Sequence, residues 1–574
     1  MDNFIIGQLN LHNDRVATSE LDTLVRDYKL DVVLVQEQYQ HARLRSRVVQ
    51  FDSSSRAGIY VANSNFTVTS VRNLMTSHCA VAEVSNPSCK VFIVSCYFQY
   101  SDPVGPHIHH LRQVLRSLAG RKVIIGADVN ASSTLWYGKY RSTDTDRRCA
   151  VEDFIAEMNL GIHNTPDAPP TYCSPTGESS IDVTLSSGDV RLDRWRVLPD
   201  ASCSDHRLIV YEFLPRLTQG FIHNNYDFRY KTKGANWDFF SSLFARHARE
   251  FTRNDLSPET CAELMSATFA YCADVAIGRG SITNTRRCDW WNENLVHLRR
   301  IFRRARRRFN RLKKRCVTGD TFTSAFNELK IARSHYRAAV QKSKGNLLRK
   351  IAARLDKEGP WSPLYLDFKA NRPINLSYID NIKFNNSYTT GIEETTEALL
   401  HSLIPDDIIN DNNYHNQIRM WAAELPNSPV SNLATLDEFI AIVASLPLNK
   451  ASGEDKVSNK MIKEACKSAG YSLLSVFNRC IAEGIFPRIW RSGFIRIIPK
   501  SGDKAPDDPK SYRPITLLPS LGKLLERLIV PRLLPGGPVF HKNQFGFTIG
   551  RSTTDAAISV RRTVSISDGD VSKF

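Results

Sequence analysis

The first 214 residues predict an α/β fold, because short apolar runs alternate there with helical patterns. Runs of three or four large apolar residues have the composition of buried strands, and they cover residues 4–6, 32–35, 91–94, 123–125 and 208–210. Between the first two runs, Ala17, Leu21, Leu24 and Tyr28 recur at the spacing of one helix face. We therefore expect a domain over residues 1–214 with a sheet at its core.

Composition limits the classes of function that the chain can serve. Its 574 residues allow roughly two to four domains. A net charge of +17 favours a polyanionic partner, nucleic acid before membrane. We expect no membrane span, since no stretch approaches about 18 unbroken apolar residues, and no secretory signal at the N-terminus. The twelve cysteines include no C-x-x-C pair, which favours reduced thiols over a zinc knuckle.

Residues 215–430 predict a connector that contains a basic helical hairpin over 289–355. Apolar residues recur in steps of three and four, at 295, 298, 302, 305, 309 and 312, and a turn should fall at 318–320. The first helix carries many arginines and lysines without interleaved acids, so we expect it to contact a phosphate backbone. A solvated helix face is the alternative, and a nuclear-localisation role is compatible with either. The candidates for the phosphate contact are Arg303, Arg304 and Arg307.

The other segments after residue 214 predict less regular structure. Residues 215–285 have mixed character, and the Asn-rich stretch 371–415 is expected to hold loops. A third block, 430–574, should begin with a helix that Thr435 caps, because a Thr there precedes apolar residues at helical spacing.

One strand leads directly into a carboxylate and a carboxamide. Asp128 and Asn130 follow the apolar run at 123–125 and are two residues apart. Alternate residues of a strand point to the same side, so both groups would reach one face at the strand's end. Taken alone, either residue is more often a turn residue, so a catalytic role for the pair depends on the other polar residues that the fold brings near it.

Other strands and loops also carry polar residues of catalytic type. They are Asn10, Glu37, Tyr97, Asp182 and the run Ser204-Asp205-His206. Ligands of α/β folds bind where strand ends and loops meet, so residues far apart in sequence can form one site. Several carboxylates in one place would repel each other without a cation, which favours a metal.

The order of these motifs resembles the endonuclease/exonuclease/phosphatase superfamily, and more closely the endonuclease domain of non-LTR retrotransposon proteins. The strings that carry the resemblance are Gln8-Leu-Asn10-Leu-His, Val35-Gln-Glu37, Ser95-Cys-Tyr97-Phe, Gly126-Ala-Asp128-Val-Asn130-Ala-Ser-Ser-Thr-Leu-Trp136, Pro170-Thr171-Tyr-Cys-Ser, Ile181-Asp182-Val-Thr and Ser204-Asp205-His206. The resemblance covers residues 1–214, and the extension to Trp136 is typical of the retrotransposon members. It implies a four-layer β-sandwich flanked by helices.

The resemblance also implies roles in metal-assisted hydrolysis of a phosphodiester. The metal would be Mg²⁺, with Mn²⁺ as a substitute, since hard cations prefer carboxylate and amide oxygens. The residues implied are Glu37, Asn10 and Asp205 for the metal, Asp128 for orienting or deprotonating the water, Asn130, Tyr97 and His206 for the phosphate, Asp182 for orienting His206, and Thr171 and Trp136 for nucleic-acid contact.

The third block resembles the fingers and upper palm of a retroelement reverse transcriptase. The strings are Lys450-Ala-Ser-Gly453-Glu-Asp455, Ile497-Ile-Pro499-Lys500-Ser-Gly502-Asp, Ser511-Tyr-Arg513-Pro514 and Gln544-Phe-Gly546-Phe-Thr-Ile-Gly-Arg551-Ser. The resemblance implies that Lys500 and Arg513 contact a nucleotide triphosphate. It implies that Gln544 and Arg551 contact template and primer. Ser452 and Glu454 replace prolines usual in the family, which loosens that loop.

Polymerisation is not expected from residues 1–574. It needs paired metals held by aspartates, two of them in an aromatic-x-Asp-Asp turn, and the sequence contains no such motif. Asp568 and Asp570 stand in a Ser-Asp-Gly-Asp turn. We therefore expect a reverse transcriptase part that stops before its catalytic aspartates and is inactive.

The leading hypothesis is a Mg²⁺-dependent endonuclease of a non-LTR retrotransposon that nicks target DNA for reverse transcription primed at the nick. Its expected partners are target DNA and element RNA, without a membrane. The expected location is the nucleus, after a cytoplasmic ribonucleoprotein stage. A non-catalytic nucleic-acid-binding remnant is the alternative, although every expected catalytic residue is present. A relative that acts on phospholipid or inositol phosphate fits poorly with the Trp136 string and the reverse transcriptase motifs.

Overall fold

The computed structural model describes residues 4–40, 48–63, 66–86, 89–139, 145–174, 177–188, 190–214, 228–232, 234–281, 290–358, 378–405, 410–423, 432–448, 450–500, 504–533, 543–546, 548 and 550–566. The turn expected at Asp568 and Asp570 lies outside these residues.

The described residues form strands and helices along most of their length. The strands are β1 (Phe4–Asn10), β2 (Val32–Gln36), β3 (Val48–Val49), β4 (Ala57–Val61), β5 (Thr67–Ser70), β6 (Cys79–Asn86), β7 (Cys89–Tyr97), β8 (Val123–Asp128), β9 (Gly161–Ile162), β10 (Tyr172–Cys173), β11 (Glu178–Ser179), β12 (Asp182–Ser186), β13 (Leu192–Leu198), β14 (Leu208–Phe213), β15 (Phe228–Tyr230), β16 (Arg279–Ser281), β17 (Ile379–Asp380), β18 (Lys383–Phe384), β19 (Ser387–Tyr388), β20 (Phe494–Pro499) and β21 (Tyr512–Leu517). The helices are α1 (Arg15–Tyr28), α2 (Val104–Ser117), α3 (Thr145–Glu157), α4 (Trp237–His247), α5 (Pro258–Ala276), α6 (Glu293–Lys314), α7 (Asp320–Glu358), α8 (Ile392–Leu403), α9 (Asn413–Ala423), α10 (Leu436–Ser445), α11 (Asn459–Ala482), α12 (Arg488–Arg491), α13 (Ser520–Leu533) and α14 (Thr553–Ile566).

Two mixed sheets form the core of the N-terminal part. The first has the strand order β13-β14-β1-β2-β4-β3, and the second has the order β17-β5-β6-β7-β8-β12-β9. The parallel neighbours are β1 with β2, β7 with β8 and β17 with β5, and the other pairs run antiparallel. The five runs predicted as strands lie in β1, β2, β7, β8 and β14, and the helix predicted between the first two is α1. The predicted α/β fold is confirmed for this part.

The two sheets share one apolar core and a layer of buried polar side chains. Ile6 and Ile125 belong to the apolar core and are fully buried. Further along the strands, Gln8 Oε1 accepts a hydrogen bond of 2.9 Å from Thr184 Oγ1, and Gln36 Nε2 donates to Ser95 Oγ over 3.0 Å. These bonds cross between the sheets, so they fix one sheet relative to the other near the strand ends.

The predicted helical hairpin is formed by α6 and α7, with the turn where it was expected. Leu295, Phe302 and Phe309 of its apolar seam are buried. The first two belong to the same core cluster as Leu21 of α1 and Val33 of β2. The hairpin therefore packs on the outer side of the first sheet instead of standing apart from it.

The Asn-rich stretch is more regular than expected, and the prediction of loops is wrong for residues 378–405. These residues form β17, the β18–β19 hairpin and α8. Ile382, Ala398 and Leu399 form a small buried cluster. The polar composition concealed the apolar face of α8, which buries few side chains. The part of the stretch at 371–377 lies outside the described residues.

A second compact unit consists of residues 228–280, 410–496 and 515–574, and the described part of its core is helical. Buried residues of α4, α5 and α11, such as Phe244, Phe269 and Phe477, belong to one cluster. Thr435 caps α10 as predicted, since its side chain accepts a hydrogen bond from the N–H of Glu438 over 3.2 Å.

The compact units do not follow the consecutive division expected from the sequence. Residues 1–227, 281–409 and 497–514 form the first unit, so the hairpin groups with the sheets, and residues 228–280 group with the helical unit. The reason is where each apolar seam is buried, because a helix stripe packs wherever it finds a complementary face. In the described part of the chain, no helix combines the length and the apolar character that crossing a membrane requires.

Candidate active site

Three strands carry polar side chains to one place at the ends of the two sheets. Asn10 shares a strand face with Gln8, since alternate residues of a strand point the same way. Asp182, the first residue of β12, lies directly opposite Asp128, the last residue of β8. Asn10, Asp128 and Asp182 are at most 2% exposed. Residues distant in sequence thus meet as expected.

His206 lies between two buried carboxylates. Its Nδ1 is 2.9 Å from Oδ2 of Asp182, and its Nε2 is 3.9 Å from Oδ2 of Asp128. Burial by itself lowers the pKa of His206, but the charges of Asp182 and Asp128 outweigh burial and raise this pKa to about 9. The imidazole is therefore a cation at neutral pH, oriented through its Nδ1 by Asp182.

Asn10 joins the carboxylates of Asp128 and Glu37. Its Nδ2 donates to Oδ2 of Asp128 over 2.7 Å and to Oε2 of Glu37 over 3.2 Å. Its Oδ1 accepts from the N–H of His12 over 2.7 Å, which fixes the orientation of the amide. Burial and the neighbouring Asp182 raise the pKa of Asp128 to about 7. A carboxylate with this pKa can accept a proton near neutral pH.

Tyr97 and Asn130 flank this group in different ways. Tyr97 lies opposite Asp128 in the sheet, and burial with the charges of Glu37 and Asp128 raises the pKa of its phenol well above the ordinary value. Asn130 has a φ of 50°, so the strand alternation expected to place it has ended. Its N–H donates to Oδ1 of Asp128 over 3.1 Å, and its Nδ2 donates to the carbonyl of Phe98. A turn, rather than a shared strand face, brings Asn130 to Asp128.

Thr171 and Trp136 are each 1% exposed and support the framework of the site. Thr171 Oγ1 accepts from the N–H groups of Ile181 and Asp182, each over 3.1 Å. Trp136 Nε1 donates to the carbonyl of Ser180 over 3.0 Å. The resemblance implied direct nucleic-acid contacts, but burial turns both side chains inward, toward the segment that leads into β12.

Asp205 pairs with an arginine of the helical hairpin. Its Oδ1 accepts from Nη2 of Arg333 over 3.0 Å, and its carbonyl accepts from the N–H of Cys173. Of the three metal ligands implied by the resemblance, Glu37 and Asn10 are hydrogen-bonded to each other, and Asp205 is engaged by a cation.

The cluster fits a hard divalent cation such as Mg²⁺ or Mn²⁺. Carboxylate oxygens of Asp128 and Asp182 and a ring nitrogen of His206 lie within 4.8 Å of one another, and Asn10 joins Glu37 to this group. The protonated His206 has no lone pair for a metal, so the carboxylates are the candidate ligands. Carboxylate oxygens are the ligands that such cations prefer. The raised pKa of Asp128 reflects a buried negative charge beside another, which a cation would stabilise. The resemblance assigns the metal to Glu37, Asn10 and Asp205, and Asn10 is hydrogen-bonded to both Glu37 and Asp128.

Several supporting residues gave little or no signal in the sequence. Asn164 Nδ2 donates to the carbonyl of Asp182 over 3.0 Å, and the ring of Tyr172 packs edge-on against His206 with 4.9 Å between centroids. Ser204 Oγ donates to the carbonyl of Asn10 over 2.7 Å. Glu20 is buried in α1, and an acid on the apolar face of a helix is the signal that could have drawn attention to it.

The three candidate arginines of α6 differ in their surroundings. Arg303 is half-buried and donates from Nη2 to the carbonyl of Ala201 over 3.0 Å. Arg304 is exposed. Arg307 is exposed too, with its Nε 3.6 Å from Oδ2 of Asp200. Two of the three thus present their charge to solvent.

The candidate contacts of the third block lie at a pair of strands and in a turn. Lys500 directly follows β20, Arg513 lies in the paired strand β21, and Lys500 Nζ donates to the carbonyl of Lys510 over 2.7 Å. Gln544 and Arg551 share an exposed turn, in which Arg551 Nη1 donates to the carbonyl of Gln544 over 3.0 Å.

Comparison with known proteins agrees with the motifs. Residues 91–210 match the family described as Endonuclease-reverse transcriptase. The chain is 25% identical over 542 residues to the Retrovirus-related Pol polyprotein from type-1 retrotransposable element R1 of Bradysia coprophila, a match that covers 91% of this chain and 52% of that protein. It is 44% identical over 124 residues to the RNA-directed DNA polymerase from mobile element jockey of Drosophila melanogaster, covering 21% of this chain and 13% of that protein. The resemblance to non-LTR retrotransposon proteins is confirmed.

Among solved structures, the chain is similar to the endonuclease domain of TRAS1, a telomere-specific non-LTR retrotransposon. The identity is 28% and the TM-score 0.34, and the match covers 37% of this chain and 98% of that structure. The chain spans about half the length of the curated relatives that it matches over most of its own length. Residues 91–210 therefore resemble an endonuclease-reverse transcriptase domain, and over most of its length the chain is similar to proteins of non-LTR retrotransposons.

Proposed function

We propose that residues 4–214 form a Mg²⁺-dependent DNA endonuclease that nicks target DNA so that reverse transcription can be primed at the nick. The observation that carries the proposal is the buried group of Asp128, Asp182 and His206, within 4.8 Å of one another. A carboxylate with a pKa near 7 beside an oriented cation suits hydrolysis of a phosphodiester. The match of residues 91–210 to an endonuclease–reverse transcriptase family supports DNA as the substrate.

In the proposed mechanism, Asp128 holds the attacking water and accepts its proton. Asn10 fixes Oδ2 of Asp128, and the N–H of Asn130 fixes Oδ1, so the carboxylate has one orientation. The imidazolium of His206, held by Asp182, donates from Nε2 to a phosphate oxygen as negative charge develops there. The water oxygen bonds to phosphorus as the bond from phosphorus to the leaving oxygen breaks, and the leaving oxygen takes its proton from solvent water.

Tyr97 and Asn130 would donate further hydrogen bonds to the phosphate. Tyr97 keeps its proton at neutral pH because its pKa is raised, and so it remains a donor. A bound Mg²⁺, which the resemblance assigns to Glu37, Asn10 and Asp205, would supply positive charge to the phosphate oxygens.

The third block would serve binding rather than polymerisation in these 574 residues. Half-buried Lys500 lies beside a pair of strands and exposed Arg513 lies within it, and cations in such an arrangement suit phosphate oxygens. Element RNA and target DNA would be the partners, and the nucleus the site of action after a cytoplasmic ribonucleoprotein stage. The net charge of +17 supports nucleic-acid partners.

A plasmid-nicking assay tests the nuclease. Supercoiled DNA and Mg²⁺ are incubated with the parent or with one of the site variants Asp128→Ala and His206→Ala. Asp153→Ala is the matched control, because Asp153 is an exposed acid of α3. The parent and the control should nick, and the two site variants should lose about 10²-fold or more in rate. Removal of Mg²⁺ by EDTA should stop the parent, and added Mn²⁺ should restore it. Equal nicking by all four proteins, or none by the parent, would refute the assignment.

A primed-template assay tests the polymerase part. The parent should incorporate no nucleotide on a primed RNA or DNA template under the conditions in which it nicks. Incorporation that survives Asp128→Ala would contradict the proposed absence of polymerisation.

A further inference from the structure

We propose that arginines of the helical hairpin position His206 by holding the main chain that leads to it, which makes the hairpin part of the framework of the active site. The inference rests on the nuclease function proposed for this site. The 201–206 loop comprises Ala201 to His206, and the arginine brace comprises Arg299, Arg303, Arg306 and Arg333.

The arginine brace donates to four consecutive carbonyl groups of the 201–206 loop. Arg299 Nη2 and Arg303 Nη2 donate to Ala201 O over 3.1 and 3.0 Å. Arg306 donates to two carbonyls, from Nη1 to Ser202 O over 2.7 Å and from Nη2 to Ser204 O over 3.0 Å. Arg333 Nη2 donates to Cys203 O over 3.2 Å.

These carbonyl groups depend on the brace. Among the described residues, no main-chain N–H donates to the carbonyls of residues 201–204. The four residues are buried, and a buried carbonyl without a partner destabilises the conformation that buries it. The arginines therefore fix a main-chain path that neither sheet stabilises by itself.

Glu20 of α1 accepts hydrogen bonds from the donors of the loop. Its Oε2 accepts from the N–H of Cys203 over 2.9 Å and from Ser202 Oγ over 3.3 Å. Its Oε1 accepts from the hydroxyl of Tyr336 in α7 over 2.6 Å. The carboxylate of Glu20 thus binds hydrogen-bond donors of the loop, and the arginine brace binds its carbonyl acceptors.

Ser204 transmits this position to the active site. Its Oγ donates to the carbonyl of Asn10 over 2.7 Å and accepts from the N–H of His206 over 3.2 Å. A shift of the loop would therefore change where His206 stands relative to Asp182, and a displacement of about 1 Å at such a group can cost about 10²-fold in rate.

The spacing and burial of Arg306 separate this role from a phosphate contact. Arg299, Arg303 and Arg306 follow one another in steps of four and three, so they share one helix face. Arg306 is 6% exposed and both of its terminal nitrogens are engaged. Arg349, an exposed arginine of α7, serves as the matched control.

The test uses the full chain and compares the parent with Arg306→Met, Arg306→Lys, Ser204→Ala, the double variant Arg306→Lys/Ser204→Ala and the control Arg349→Met. Rates of plasmid nicking give kcat and KM for DNA at saturating Mg²⁺. In parallel, ¹⁵N-histidine labelling reports the Nδ1 signal of His206, assigned by its loss in His206→Asn.

Arg306→Met should lower kcat about 10²-fold and leave KM within about twofold of the parent. The kcat of Arg306→Lys should lie between that of the parent and that of Arg306→Met, since an ammonium group cannot bridge two carbonyls as a guanidinium does. Ser204→Ala should lower kcat about 5- to 10-fold. The double variant should lose less than the product of the two single losses, because both substitutions act on one loop. The His206 signal should shift in the Arg306 and Ser204 variants and remain unchanged in Arg349→Met.

If kcat and the His206 signal were both unchanged in Arg306→Lys and Ser204→Ala, the proposal that the arginine brace positions His206 would be refuted, whatever happens to thermal stability. If Arg306→Met fails to fold, these two milder variants still decide. If the parent does not nick, the proposed function fails, and the His206 signal alone then decides whether the brace exists.

Discussion

Nδ1 of His206 lies 2.9 Å from Oδ2 of Asp182, and the two side chains are 4% and 2% exposed. At this distance and burial the charge-assisted hydrogen bond is little screened by salt. Asp182 is positioned by the register of β12 on β8, and His206 by the loop that precedes β14. The pair therefore joins two parts of the chain that are positioned by different contacts.

Asp182→Asn should keep the shape of this pair and remove its charge. We expect kcat for nicking to fall by about 10²- to 10⁴-fold, because the imidazole loses both its orientation and the stabilisation of its charged form. The pKa of His206, measured by NMR, should also fall from about 9. Asp153→Asn, in an exposed acid of α3, is the control. An unchanged rate in Asp182→Asn would contradict the orienting role.

The metal-free protein should lose stability as pH rises from about 6.5 to about 9. The folded state raises the pKa of His206 from 6.5 to about 9, so this contribution is fully present below pH 6.5 and is lost as pH passes 9. It amounts to about 3 kcal/mol. The folded state also raises the pKa of Asp128 from 3.8 to about 7, so this contribution to stability is likewise lost as pH rises through that range.

Urea unfolding in EDTA at several pH values measures this dependence. The matched comparison is Asp182→Asn/His206→Asn, which removes both charges of the pair and should flatten the profile above pH 6.5. Parallel profiles of the parent and this double variant would show that the pair contributes nothing to the pH dependence.

Trp136→Ala should reduce stability rather than DNA affinity. The side chain is 1% exposed, and removing a buried Trp costs about 3–5 kcal/mol. Leu135→Ala is the control, since its neighbour Leu135 is 51% exposed and should lose little stability. Urea unfolding and DNA-binding titrations measure the two effects. If Trp136→Ala bound DNA more weakly at unchanged stability, Trp136 would instead contact nucleic acid directly, as the resemblance implied.

Arg304→Gln should weaken binding to DNA of any sequence. Arg304 is exposed on α6, and each phosphate contact adds about one unit to the slope of log affinity against log salt concentration. Binding titrations between low and moderate salt should give a shallower slope for the variant. Lys330→Gln, an exposed lysine of α7, tests whether loss of any charge on the hairpin suffices. Equal slopes in the parent and Arg304→Gln would assign Arg304 to a solvated face.

The sequence predicted the elements of the nuclease-like part well because its strands are buried and its polar residues stand at their ends. Several consecutive apolar residues in a short run are typical of a buried strand, and such runs lie in β1, β2, β7, β8 and β14. The placement of Asn130 was less well predicted, since the alternation that would govern it stops at Asp128. The grouping of residues 228–280 was missed because packing partners distant in sequence decide it.

What the sequence determined by itself is the kind of each element and the chemistry at its end, because these depend on local periodicity and on residue type. Only the tertiary structure decided that Arg306 turns inward while Arg304 faces solvent, and that Asp205 pairs with Arg333. The physical reason is that the acceptors of the inward arginines are mostly main-chain carbonyls. Every residue has one, so such a partner has no signature in the sequence and is defined only when packing brings the two segments together.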